Sequence, residues 1–424
     1  MSRAGLWELC SGVLAQNNPD KSLTFHRLPS LYRSIEEKEW TLEGFGFPLR
    51  DFGMDPSQDL LVLVEASRRI DTDTEQPCRI HLRSLSTGKP HSMAQNPVII
   101  CDVQKVNSPR DISHTIQVLA DFLGILFSYS DVPENELYIW DWKTGMVETS
   151  LMGDDVDSFV FMSRNEVMVA LLGVSLSEEL APILLTVDFK KETRDKHLIA
   201  EVEHGISFRY PRFHSQVGMV KFEIRLDPVP TLGSQKVPYY LAQNNRVFAA
   251  CLSIVHDNRL KTIMLLAPLS TFRSALEDLT DDQITVDWSA WGHTGARVLT
   301  PGQNPSDVWV CYVSGSKYVA LRKMSRSATP LVDVYDFYQP ALLRNLSKPI
   351  HGIDYVTSPN FFEAGDIFAE EVQTSLPYTL QTLHLTDSKF TQGMAVMCTE
   401  DNIIVVDVRN NPESFILHAS AHTL

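Results

Sequence analysis

Close cysteine pairs, basic clusters and long apolar runs are all missing from this 424-residue sequence, and each absence removes a class of protein. The six cysteines, Cys10, Cys78, Cys101, Cys251, Cys311 and Cys398, are scattered, with no Cys-x-x-Cys. That spacing excludes a zinc ribbon or a dithiol redox motif of adjacent cysteines and predicts buried free thiols in a reducing compartment. Lysine and arginine are nowhere concentrated, and the formal net charge is −16. A nucleic-acid binder or a protein held on an anionic membrane needs a basic face, so neither is expected. The longest apolar run, Ile116 to Phe127, is broken by Asp121 and is too short to span a bilayer. The first residues carry Glu8 where a secretory leader would be apolar. The expectation is a soluble protein of the cytoplasm or nucleus.

Helical periodicity is nearly absent too, with short candidates only at Ser34–Lys38 and Thr271–Leu279. Short apolar runs separated by turn residues fill the chain instead. Examples are "DLLVLVE" at Asp59, "LGILFSY" at Leu123, "EVMVALL" at Glu166, "RVFAACLSIV" at Arg246 and "NIIVVDV" at Asn402. Such runs read as strands. They fall into a recurring phrase, clearest in "RIHLRSLSTGKP" from Arg79 and "LYIWDWKTGMV" from Leu137. In both, a strand enters an x-Thr-Gly turn whose glycine supplies the positive φ. Phrase endings recur roughly every 50 to 80 residues, against about 40 to 50 in a regular propeller. The stretch Arg209 to Pro230, with "GMVKFEIRL", therefore holds a hidden unit or an insertion. A four-stranded unit with two apolar faces cannot bury both alone, whereas radial stacking buries both. The fold class is all-β: a single WD40-like β-propeller of six or seven four-stranded blades, with seven favoured.

Beyond periodicity, the phrases resemble a known family. "LYIWDWKTG" is similar to the third strand and exit turn of a WD40 blade, with Trp140-Asp141 as its Trp-Asp pair. The span from Leu23 to Val408 resembles the propeller region of F-box proteins from mushroom-forming fungi. The phrases that carry it include "RLPSLYRSIEEKEWTL", "RDFGMDPSQDLLVLVE", "FVFMSRNEVMVA", "VDWSAWGHTGARVL" and "MCTEDNIIVVDV". The resemblance implies a propeller over residues 23–416, a C-terminal tail over 417–424, and a possible F-box remnant over 1–22. It further implies a protein target as partner, with a Skp-type adaptor and a cullin ligase behind it. Residues 1–21 are too short and too polar for an intact F-box, which puts adaptor docking in doubt. In the "W..WG" phrase, His293 stands where the family often has proline.

Catalytic motifs are missing as well. There is no Gly-x-Ser-x-Gly, no His-Glu-x-x-His and no phosphate loop ahead of a helix. "STGKP" at Ser86 reads as a hairpin turn. "DTDTE" at Asp71, "GDDVD" at Gly153 and "EDLTDD" at Glu277 read as solvated turns. Single histidines such as His256 and His293 read as structural. Trp288 and Trp291 read as packing between blades, with an exposed partner anchor as the alternative. The expectation is a non-enzymatic chain with no catalytic, cofactor-binding or metal-ligating residue. Three functions stay open: target recognition in an F-box-type ligase, a free-standing interaction scaffold, or a propeller hydrolase or lyase using its central channel.

Overall fold

The computed structural model describes residues 6–30, 33–66, 77–104, 112–174, 180–227, 245–280, 284–299, 312–322, 330–385, 394–407 and 414–418. No family of long helices interrupts them; the described residues are chiefly strands, and the chain is all-β. Strands pair in chain order into antiparallel meanders. The first sheet runs Trp7–Cys10, Val13–Asn17, Leu23–Arg27, Lys38–Leu42; the second Leu49–Asp55, Leu60–Glu65, Cys78–Ser84, Val98–Cys101. The third is Ile112–Leu119, Phe122–Tyr129, Asn135–Asp141, Met146–Gly153, and the fourth Val156–Phe161, Glu166–Val174, Leu180–Asp188, Gly205–Arg209. The fifth is Gly218–Leu226, Val247–His256, Arg259–Pro268, Arg297–Leu299, and the sixth Val313–Ser314, Lys317–Arg322, Leu331–Asp336, Tyr378–His384. Each is the four-stranded unit from which β-propellers are built. The third, fourth and sixth sheets each gain a fifth strand at the outer edge: Lys196–Leu198, Thr285–Val286 and Asp354–Val356.

Six sheets of four or five strands are thus present among the described residues. The favoured count of seven four-stranded units is not met, because the stretch from Met394 supplies three strands, Met394–Cys398, Asn402–Asp407 and Ser414–His418. Residues 7–17 form the first two strands of the first sheet, register Trp7↔Gln16 to Cys10↔Val13. They are strands where the resemblance led to the expectation of a helical segment, and a boundary at residue 22 falls between that sheet's second and third strands. The expected tail from 417 likewise begins inside a strand. Ser34–Lys38 is a turn leading into a strand rather than a helix, while the expected helix near Thr271 forms over Leu269–Glu277. "GMVKFEIRL" opens the fifth sheet, so it marked a hidden unit.

The chain forms two compact units, one comprising Met1–Val169, Thr186–Gly205 and Pro228–Pro238, the other Ala170–Leu185, Ile206–Asp227 and Tyr239–Leu424. In the first unit, the strand Leu60–Glu65 explains the stacking. Every residue from Leu60 to Val64 is buried. Leu61 and Leu63 enter a core with Val13, Ala15, Leu23 and Phe25 of the first sheet. Leu60, Val62 and Val64 enter another with Leu123, Ile125 and Phe127 of the third. Alternate side chains leave a strand on opposite faces, so a continuous apolar run serves a sheet covered on both sides. In the second unit one core joins Val247 and Leu266 of the fifth sheet, Val319 and Val334 of the sixth, and Val396 and Val405 of the last.

The x-Thr-Gly turns form as read, with Gly88 at φ 71° and Gly145 at φ 77°. The Gly88 and Gly145 amides donate to the Ser84 and Asp141 carbonyls at 2.8 and 2.7 Å. Trp140 and Trp142 are both buried, and the Trp142 indole donates to the Ala120 carbonyl at 2.8 Å. Gly124 lies in the middle of its strand, where a Cβ would stand 2.7 Å from the Phe159 ring and 3.1 Å from Phe161. Both rings are buried and cannot swing clear. Gly124→Ala is expected to destabilise the protein by about 2 kcal/mol through overpacking, read as a lower urea midpoint with unchanged slope.

Candidate functional site

A concavity of about 660 Å³ lies in the first unit, between the hairpin turn after Asn17 and the segment leading into the second sheet. Asp20, Lys21 and Ser22 form one wall, and Glu43 to Pro48, "EGFGFP", the other. In a four-stranded meander, the turn between strands two and three and the exit from strand four lie at the same end. Both walls are therefore brought together by topology.

Each wall is preset. Asp20 accepts from the Ser22 amide at 2.9 Å and the Ser22 hydroxyl at 2.6 Å, bonds that hold its carboxyl below the usual range. The Asn18 side-chain Nδ2 donates to the Ser22 and Thr24 hydroxyls at 2.8 Å each. On the other wall Gly44 and Gly46 sit at φ 69° and 84°, which residues with a Cβ rarely adopt. Between them Phe45 is half-buried, and Phe47 stacks on the His81 ring at 3.8 Å between centroids and 11° between planes. His81 is in turn bonded to Glu65 at 3.0 Å, with burial as the main cause holding its pKa below the ordinary value. Lys21 and Glu43 are exposed at the rim. The site offers two aromatic rings, a glycine-rich backbone and a mixed pair of charges.

No reactive constellation stands there, and among the described residues no group of three or more His, Cys, Asp or Glu could hold a metal. No described helix is long and apolar enough to cross a membrane. Trp291 is buried among Phe208, Tyr210, Phe272 and Trp288, its indole donating to the Arg209 carbonyl at 3.2 Å, so it is a packing residue. Trp288 is half-buried and lies over Gly292. His293 lies in the last turn of the helix Trp288–Gly295, and its carbonyl accepts from the Ser375 amide and hydroxyl. His256 is buried and meets the Lys261 ammonium at 2.8 Å. "STGKP" is the hairpin turn it was read as, and Asp154-Asp155 form a tight link between strands. "DTDTE" and Cys311 lie outside the described residues, as does part of "EDLTDD"; the other five cysteines are buried free thiols.

A second polar cluster, in the second unit, gathers where Gly218–Leu226 ends, Val247–His256 begins and the turn at Gly315 falls. The Asp227 carboxylate accepts from the Gly315 amide at 2.8 Å, and Arg246 donates to the Asp227 carbonyl at 2.5 Å. Burial pushes the Asp227 carboxyl up to about 6, although the Gly315 bond and Arg246 pull it down; burial also lowers Arg246 to about 10. A folded-state acid raised above its unfolded value near 4 holds its proton where the unfolded chain has lost it. Its contribution to stability is therefore present below pH 4, falls as pH rises to about 6, and stays lost above. Asp227→Asn is expected to abolish that slope, measured as Tm from pH 4 to 7.

No family profile and no curated protein matches the chain. Among solved structures, it is similar to Drosophila Semaphorin 1b, extracellular domains 1-2, at 9% identity and TM-score 0.45, over 100% of this chain and 86% of that one. It is also similar to Drosophila Plexin A in complex with Semaphorin 1b, at 8% identity and TM-score 0.41, over 100% and 86%. The likeness to Drosophila Semaphorin 2a has 9% identity and TM-score 0.31, over 89% and 74%. Likenesses this distant carry no argument about this chain's function.

Proposed function

We propose that the chain is a β-propeller interaction module that takes an extended segment of a partner protein into the concavity between Asp20–Ser22 and Glu43–Pro48. The observation that supports this is the pairing of Phe45 and Phe47 with a glycine-opened backbone in one preset wall. Peptide recognition needs aromatic or apolar anchors together with main-chain groups that pair with an extended backbone. Lys21 and Glu43 at the rim set direction by charge. The two-sided burial of Leu60 to Val64 supports sheets stacked blade on blade.

Within this reading the chain is non-enzymatic and acts in the cytoplasm or nucleus. The phrases shared with fungal F-box proteins support a target-recognition role in a ubiquitin ligase. Co-elution with a Skp-type adaptor in size-exclusion chromatography supports that finer role; separate elution leaves a free-standing scaffold.

The peptide-binding claim is tested by panning a displayed random-peptide library on the purified chain. Enriched peptides are expected to bind at least tenfold more weakly to Phe45→Ser, about 1.4 kcal/mol. Equal affinity for the variant places binding elsewhere and overturns the proposal.

A further inference from the structure

Cys78 opens the strand Cys78–Ser84, Cys101 closes the strand Val98–Cys101, and the antiparallel register sets the two directly opposite each other. Residues opposed in this way present their side chains on the same face. Both are buried in the core shared by the second and third sheets. In the same register the Leu82 amide donates to the Pro97 carbonyl at 2.9 Å. Hydrogen-bonded pairs alternate along the ladder, so 80–99 and 78–101 are of that type, with Cα atoms about 5.5 Å apart. That separation lies within the Cα range that disulfides bridge. None of the other described cysteines faces a cysteine: Cys10 opposes Val13, Cys251 lies between Glu223 and Met264, and Cys398 opposes Ile403.

We propose that Cys78 and Cys101 form a cross-strand thiol–disulfide couple, closed by a small-molecule disulfide such as oxidised glutathione, which staples the outer strand of the second sheet to its neighbour. One cysteine thiolate attacks the glutathione disulfide, forming a mixed disulfide and releasing one glutathione thiolate. The second cysteine, as thiolate, attacks the protein sulfur of that mixed disulfide and releases the second glutathione. Two cysteine thiols are oxidised, one glutathione disulfide is reduced to two thiols, and the two cysteine protons end on the glutathiones.

The position supplies access. The pair is the terminal rung of its ladder, and the preceding Pro77 is exposed. Fraying one rung uncovers both sulfurs. Burial, with Glu65 adding to it, pushes the Cys78 thiol up to about 12, and burial raises Cys101 as well. Thiolate is scarce near neutrality, so closure is slow there and accelerates with pH.

The native chain is incubated with oxidised glutathione at pH 7, 8 and 9, alkylated, and digested without reduction. The expected product is a Cys78–Cys101 linked peptide pair lighter by two hydrogens, formed about tenfold faster per pH unit. Tm should rise on closure, return with dithiothreitol, and not respond in Cys101→Ala. A stable glutathione adduct on either residue, earlier linkage of another pair, or no linkage at pH 9 overturns the proposal. The wild-type peptide map decides the matter even where Cys101→Ala does not fold.

Discussion

Replacing Arg297 by methionine is expected to lower stability by about 4 kcal/mol, the largest single effect the structure implies. Arg297 is 2% exposed, and no carboxylate is among its hydrogen-bond partners. Its Nε donates to the Leu376 carbonyl at 2.9 Å, Nη1 to the Ser358 carbonyl at 3.1 Å and the Asn360 side chain at 3.0 Å, and Nη2 again to Ser358 at 3.1 Å. The guanidinium lies 5.1 Å from the centre of the Tyr378 ring. Burial lowers its pKa, the sign of a cation held by dipoles and a ring face instead of a counter-ion. Methionine fills much of the volume but leaves those acceptors with no donor. Lysine has one point charge in place of the planar fork and is expected to recover less than half of the loss. Chemical denaturation of both variants checks this, and a loss under 1 kcal/mol for Arg297→Met contradicts it.

The second large effect is expected at Lys196. Glu136 is fully buried within the third sheet; the Lys196 ammonium pairs with its Oε1, and the Tyr129 hydroxyl donates to Oε2 at 2.7 Å. Lys196 begins the short strand that pairs in parallel with Ser150–Met152, so the ion pair also fastens the outer edge. Burial works against the ammonium, but its bonds to Glu136 and Tyr138 outweigh that and raise its pKa. Lys196→Met strands the carboxylate and is expected to cost about 3 kcal/mol, the low end for a broken buried pair because the ammonium is one-third exposed. The double variant Glu136→Leu, Lys196→Met should regain most of it. A raised lysine pKa stabilises fully below its unfolded value near 10.4. The wild-type contribution is therefore constant across neutral pH and is lost only as pH rises through the folded-state pKa. Equal losses in single and double variants would show that the pair does not act as a unit.

Strands were legible because "LLVLV" and "LGILF" bury every position, a pattern few alternatives explain. The turns of "STGKP" and "KTGM" were legible because a positive φ selects glycine. The helices Trp288–Gly295 and Gln339–Asn345 were not, since they are two turns long and lack an apolar stripe. The strands Trp7–Cys10 and Val13–Asn17 went unread because the family resemblance led to the expectation of a helical segment there, and runs of four and five residues are too short to show a period. The candidate site was missed as well. "EGFGFP" has neither period; its signal is two phenylalanines alternating with glycines outside a strand. Arg297 and Lys196 carry no sequence signal, because their partners lie 61 to 79 and 60 residues away.

Hydrogen–deuterium exchange of the chain, with and without a peptide selected on it, tests the central claim most directly. The account predicts slowed exchange at the amides of residues 18–22 and 43–47, with the rest of the described chain unchanged. Protection confined to other loops, such as the turn at Ser314–Ser316, would contradict it.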